Sequence, residues 1–257
     1  MSYSNCLLAM AVVPILSFAA RAGDFRDLLE KRTFKGSGDE KLHYRLLAPE
    51  KVDDKTTYPL VVFLHGAGER GDDNNKQLVH GVAEFAKPEN RTKYPCYLIA
   101  PQCPIGKSWA SFTRNAKSDA ADKPAESLRL TLDLVAALQK EFPIDAKRIY
   151  ITGLSMGGFG TWDALARKPE LFAAAVPICG GGDEKRVEGY AKLPIWVFHG
   201  AKDTAVKVER SRTMVDALKK AGGSPKYTEY PEVGHDSWVK AYKDADMFAW
   251  LFSQKRK

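Results

Sequence analysis

Cysteine is scarce in this chain. Four occur in 257 residues, and none stands in C-x-x-C or any other metal-ligand spacing. Cys6 lies in an apolar N-terminal run, which leaves Cys96, Cys103 and Cys179, an odd number. Cys96 and Cys103 close the two ends of one predicted strand, roughly 23 Å apart and too far to bridge. A Cys103–Cys179 disulfide stays open for an exported protein, the alternative being three buried free thiols. Repeats, Pro/Ser-rich linkers and breaks in composition are also missing, which argues for one domain. The net charge is +7, yet no Arg/Lys stripe is interleaved with stacking aromatics. Nucleic-acid binding is thereby excluded, while a mild attraction to acidic polymers is retained.

The first residues are unlike a domain. CLLAMAVVPILSFAA is apolar and ends in Ala20-Arg21-Ala22, a small-x-small pattern. It predicts a signal peptide over residues 1–22 and a single mature domain over 23–257, exported to the periplasm or secreted. No Lys or Arg precedes the run, and no lipobox cysteine marks its end. It is too short and too proline-interrupted for a transmembrane helix, so no membrane span is expected in the mature chain.

The rest alternates. LHYRLLAPE (42–50), YPLVVFLHG (58–66), CYLIAPQ (96–102), RIYIT (148–152), FAAAVPICG (172–180), LPIWVFHG (193–200) and KYTEYP (226–231) are predicted strands. Helical periodicity covers 126–142, 157–168, 207–221 and 237–252. Strands alternating with helices predict an α/β fold, a mostly parallel, doubly wound sheet covered on both faces.

Gly153-Leu154-Ser155-Met156-Gly157 is G-x-S-x-G, placed between a buried strand and a helix. A sharp turn there lifts the serine above the sheet's carboxyl edge, and the crowding demands glycine beside it. The alternative is a structural turn with a bystander serine. A serine hydroxyl needs a general base, and the base an orienting acid. Two histidines follow Ser155: His199 inside a strand end, and His235 in the loop PEVGHDSW. The loop position suits a mobile base and selects His235. Asp203, just past LPIWVF in HGAKDTAV, is the best-placed acid, ahead of Glu232 and Asp183. Oxyanion donors are expected from the backbone of Met156 and of Ala67, with Gly68 next. His65 is expected to brace that loop. Glu69 and Arg70 either pair to shape it or leave Arg70 to meet substrate.

LHGAGERG, APQCP, GLSMGGFGTW, HGAKD and GHDSW together resemble the α/β-hydrolase superfamily over roughly residues 25–255. More narrowly they resemble exported bacterial esterases of the phospholipase/carboxylesterase and feruloyl-esterase-like group, some labelled predicted peptidases. The resemblance implies cofactor-free and metal-free hydrolysis through an acyl-enzyme, with Ser155, Asp203 and His235 as nucleophile, acid and base. The short gap GGGDEKRVEGYAK leaves no room for the lid domain that many of these hydrolases carry. An open site suits a large or polymer-borne ester better than a buried lipid chain, with acetyl or feruloyl groups on plant polysaccharide the favoured class and small aryl or alkyl esters also allowed. Trp109 and Phe112, in the long segment 104–124, are candidates for an aromatic wall against substrate, or else pin that segment to the core. Trp238 is a third candidate contact, with packing of the last helix as the alternative. A serine peptidase with the same triad and a non-catalytic binding protein are the rival functions.

Overall fold

Seven-residue runs such as YPLVVFL have no polar face to turn toward water, so they fold only where both faces of a sheet are covered. The computed structural model describes residues 23–53, 55–111 and 123–257. Its strands are β1 (Leu29–Lys35), β2 (Lys41–Leu47), β3 (Tyr58–Leu64), β4 (Tyr97–Pro101), β5 (Ile144–Leu154), β6 (Ala174–Ile178), β7 (Trp196–Gly200) and β8 (Lys226–Tyr230). The helices are α1 (Val82–Ala86), α2 (Pro88–Lys93), α3 (Glu126–Glu141), α4 (Met156–Arg167), α5 (Glu209–Lys220), α6 (Trp238–Ala241) and α7 (Ala245–Ser253).

One eight-stranded sheet runs in the order β1-β2-β4-β3-β5-β6-β7-β8. From β4 to β8 every pairing is parallel, and β2 runs antiparallel to both β1 and β4. Period-2 alternation splits β3 between two cores. Leu60, Val62 and Leu64 pack with Leu134, Trp162 and Met214 of α3, α4 and α5. Val61 and Phe63 pack with Phe85, Phe248 and Leu251 of α1 and α7 on the other face. Parallel strands put all their carboxyl ends on one edge, where ligands of such sheets bind.

Several elements differ from expectation: the short helices α1 and α2 were not expected, nor was β1, and the last helix is split. β1 is a strand that its sequence, LEKRTFK, conceals. It is an edge strand in which only Leu29 is buried and Arg32 and Phe34 are half-buried, and its charges guard the open edge. The last helix is two helices, because the Asp244 side chain accepts from the Asp246 and Met247 N–H groups at 2.8 and 3.3 Å and starts α7 afresh. Between β6 and β7 the chain makes only a 3-10 turn, Glu184–Tyr190, and no lid domain. The predicted signal segment lies outside the described residues. No helix among the described residues is long and apolar enough to cross a membrane.

Candidate active site

Ser155 stands alone between β5 and α4 with φ 52° and ψ −114°. A non-glycine residue held at positive φ costs roughly 1–3 kcal/mol, so its surroundings must enforce it. They do so by crowding. A Cβ on Gly157 would sit 1.9 Å from the Leu64 carbonyl oxygen, and one on Gly153 would sit 2.4 Å from the Gly157 carbonyl oxygen. Only glycine lets the turn pack this closely against β3. The Ser155 N–H donates to Ile178 O at 2.9 Å, and Ser155 O accepts from Phe159 N–H at 3.0 Å, fixing the turn from both sides.

Asp203 and His235 come from the loops after β7 and β8. Those loops are knit together by Ala201 N–H to Tyr230 O and Lys202 N–H to Val233 O, each 2.9 Å. His235 Nε2 lies 2.9 Å from Ser155 Oγ, and His235 Nδ1 lies 2.7 Å from Asp203 Oδ2. With an acidic partner at Nδ1, that nitrogen carries the proton and Nε2 is left to accept from the serine. The imidazole is half-buried, and the indole of Trp238 meets it edge-on at 5.2 Å. Trp238 also packs on His80, at 5.3 Å, and against the α7-side core.

Asp203 is fully enclosed, and four donors converge on it. Oδ1 accepts from the Ala205 and Val206 N–H groups at 2.8 and 2.9 Å. Oδ2 faces His235 and also His199 Nε2, at 3.1 Å. The other acids considered are engaged elsewhere: Asp183 accepts from Lys185 N–H in the 3-10 turn, and exposed Glu232 pairs with Lys202. His199, at the end of β7, has a place behind the acid that its position in an apolar run does not reveal. The signal was available in the spacing of HGAKD, which returns position 203 to position 199 across a tight turn.

On the other side of the serine, the Met156 N–H opens α4 and the Ala67 N–H opens the 3-10 turn Ala67–Glu69. The first N–H groups of a helical turn have no acceptor within it, and neither donor has a backbone partner among the described residues. The Ala67 loop is braced from beneath. His65 Nδ1 donates to Gly66 O at 2.6 Å, and Nε2 accepts from Cys103 N–H at 2.9 Å. Burial pushes its pKa down to about 4, so the ring is neutral and structural. Gln102 reaches Glu69 O at 3.2 Å, and Arg70 Nε donates to Lys107 O at 2.6 Å. Arg70 thus ties two loops together, and Glu69 faces His80 at 3.8 Å.

Trp109 corrects an expectation. It is completely buried, and its Nε1–H donates to His65 O at 3.0 Å. It belongs to the core and does not form a wall facing substrate. Phe112, its proposed companion, lies outside the described residues. Of the two readings open for the cysteines, the structure has the second: Cys96, Cys103 and Cys179 are buried free thiols. Cys179 Sγ approaches ligand atoms of Asp203 and His235 within 4.8 Å. However, burial raises the pKa of that thiol, and both Asp203 oxygens are already engaged, so the donor set is a poor one for a metal. A concavity of about 530 Å³ lined by Pro169, Phe172, Tyr190 and Leu193 lies at the amino ends of β6 and β7, on the opposite edge of the sheet.

The fold and family are shared with known proteins. The family model described as Phospholipase/Carboxylesterase matches residues 50–251. A solved structure titled as that of a thermostable esterase superposes with a TM-score of 0.85 and 43% identity over 90% of this chain. This chain spans 64% of that one. A ferulic acid esterase superposes with a TM-score of 0.65 over 87% of this chain and 96% of its own, at 16% identity, a likeness of fold alone. An acyl-protein thioesterase 1 from Neurospora crassa is 29% identical over 70% of this chain and 81% of its own length. The chain belongs to the phospholipase/carboxylesterase family, carboxylesterase-type hydrolases built on the α/β-hydrolase fold.

Proposed function

We propose that the protein is an exported serine carboxylic ester hydrolase. The observation that carries this reading is the unbroken line Asp203–His235–Ser155, at 2.7 and 2.9 Å, ending on a serine held at positive φ. In this reading His235 Nε2 takes the Ser155 proton as Oγ attacks the ester carbonyl. Asp203 keeps the imidazole in the required tautomer and stabilises it once charged. The Met156 and Ala67 N–H groups hold the oxyanion of the tetrahedral intermediate. His235 then protonates the leaving alcohol, which leaves an acyl-enzyme on Ser155. Water, deprotonated by His235, releases the acid.

A short 3-10 turn where a lid would stand favours an accessible ester, such as acetyl or feruloyl groups on plant polysaccharide or small aryl and alkyl esters. Cleavage near Gly23 would release the mature enzyme, and the mass of the protein recovered from the periplasm or medium tests it. For the chemistry, wild type should turn over p-nitrophenyl acetate and be labelled by a fluorophosphonate probe, and Ser155→Ala should do neither. Equal labelling of both proteins, or peptide-anilide cleavage without ester turnover, would overturn the reading.

A further inference from the structure

The concavity at the amino ends of β6 and β7 lies on the opposite edge of the sheet from Ser155, and the ester chemistry makes no use of it. It is open to solvent, about 530 Å³ in volume, and floored by Pro169, Phe172, Tyr190 and Leu193. Sites for small ligands run to roughly 300–1,000 Å³ and are mostly apolar with a few placed polar groups. Pro169 and Leu193 are only half-buried, so part of this floor meets water. An apolar surface in a concave site gains by being covered.

The rim of the concavity is basic. Lys255, Arg256 and Lys257 line it from one segment and Lys192 from another, and all four are exposed. The segment is tied down over the amino end of β5. Tyr150 Oη donates to Gln254 O at 2.7 Å, Arg256 N–H donates to Lys147 O at 2.9 Å, and Arg256 Nη2 donates to Ala146 O at 3.2 Å. Lys255 Nζ stands 3.6 Å from Asp145 and keeps 59% of its side chain exposed. Lys192 Nζ donates to Gly222 O, which fixes the second cation. Two carboxylates also line the concavity, Glu170 and Glu188, and Glu170 faces Lys168 at 3.7 Å. Four cations against two carboxylates leave the rim positive, with Glu170 already matched from outside.

We propose that this concavity is a second binding site, for a small amphipathic carboxylate. An aliphatic or aryl body covers the apolar floor, and the anionic head meets the cations of residues 255–257. A neutral apolar molecule would leave the rim unused, and a wholly polar anion would leave the floor wet, so the ligand carries both parts. Two sources supply such a molecule: free lipid acids, and aryl acids released from esters. The site goes beyond the ester-hydrolase reading, and its binding test does not depend on that reading.

The test titrates octanoate and 3-phenylpropanoate, each against its own amide, into the full chain by calorimetry. At least one acid should bind about tenfold more tightly than its amide, and added salt should erase most of that preference. Binding of octanoate alone would name a lipid acid as the ligand, and binding of 3-phenylpropanoate alone an aryl acid. The double variant Arg256→Gln, Lys257→Gln changes exposed side chains and should bring the acid down to the level of its amide. Leu193→Asp, which sets a carboxylate in the floor, should weaken the acid further. Neither variant should alter turnover of p-nitrophenyl acetate, because both lie on the far edge of the sheet from Ser155. No binding of either acid to wild type, or equal binding in wild type and both variants, would overturn the proposal. So would a dimer that Leu193→Asp dissociates in sedimentation, since the floor would then belong to a second copy of the chain. Failure of wild type to turn over p-nitrophenyl acetate would count against the ester-hydrolase reading and leave the binding result standing.

Discussion

His199 Nε2 lies 3.1 Å from Asp203 Oδ2, the same oxygen that His235 Nδ1 reaches at 2.7 Å. His199 is completely buried, and its burial lowers its pKa, so the ring is neutral. Nε2 also faces Val206 O at 3.0 Å, while Nδ1 lies 2.7 Å from Ser211 Oγ. With two acceptors at Nε2, the proton resides there, and the one Ser211 hydroxyl proton is shared between His199 Nδ1 at 2.7 Å and Gly180 O at 3.2 Å. A carboxylate held by two amides and a second imidazole cannot rotate away from His235.

That arrangement makes His199 a positioning residue. His199→Leu should lower kcat for a p-nitrophenyl ester about tenfold with little change in KM, because the chemistry is disturbed and substrate contacts are not. It should also cost about 1–3 kcal/mol of stability by leaving buried acceptors unpaired. His199→Gln, which retains a donor, should recover part of both. Urea unfolding and steady-state kinetics on the two variants check this, and a change confined to KM would count against it.

The elbow supplies the second prediction. Gly157→Ala would place a methyl group 1.9 Å from the Leu64 carbonyl oxygen, at a point where neither backbone can move without displacing β3 or α4. The expected cost is about 3 kcal/mol. In a domain of this size that lowers Tm by about 6–12 °C. Differential scanning calorimetry reads it directly. A variant as stable as wild type would mean the turn is looser than its contacts imply.

Several features of this fold are legible because their burial is extreme. β3, β5 and β6 read as apolar runs because both faces of the sheet are covered there, and chain order then delivers Ser155, Asp203 and His235 to one edge. β1 was illegible for the opposite reason. Glu30, Lys31, Arg32 and Lys35 mask an edge strand whose alternation is mostly exposed. The break before α7 depends on one side chain, Asp244, turning inward to cap, which periodicity cannot register. Trp109 shows a further limit. An indole on a long loop reads equally well as substrate wall or as core, and the difference lies in a carbonyl, that of His65, contributed by a distant strand end. His199 was hidden because a histidine inside an apolar run is ordinarily a satisfied core residue.

The His65 brace predicts a pH dependence of stability. The folded protein holds this ring near pKa 4, below the ordinary 6.5 of an exposed histidine. Between those values the unfolded chain binds a proton that the folded state refuses. The contribution is therefore fully present above pH 6.5 and is lost as pH falls toward 4. The urea midpoint of wild type should fall across that window, and the midpoint of His65→Gln should fall less steeply. Parallel curves for the two proteins would assign the dependence to other groups.

Trp109 allows brace and wall to be told apart. Its Nε1–H satisfies the buried His65 carbonyl at 3.0 Å, and its ring meets the His65 imidazole edge-on at 5.1 Å. Trp109→Phe keeps most of the packing and removes the donor, which should cost about 1–3 kcal/mol. Trp109→Ala should cost about 3–5 kcal/mol, as for other buried aromatics. Because His65 holds the loop that carries the Ala67 N–H, Trp109→Phe should also lower kcat for alkyl and aryl esters alike, with KM nearly unchanged. A substrate wall would behave differently, raising KM for aryl esters and sparing alkyl ones. Measuring kcat and KM of Trp109→Phe on p-nitrophenyl acetate and an alkyl acetate separates the two, and an aryl-selective rise in KM would return Trp109 to the binding surface.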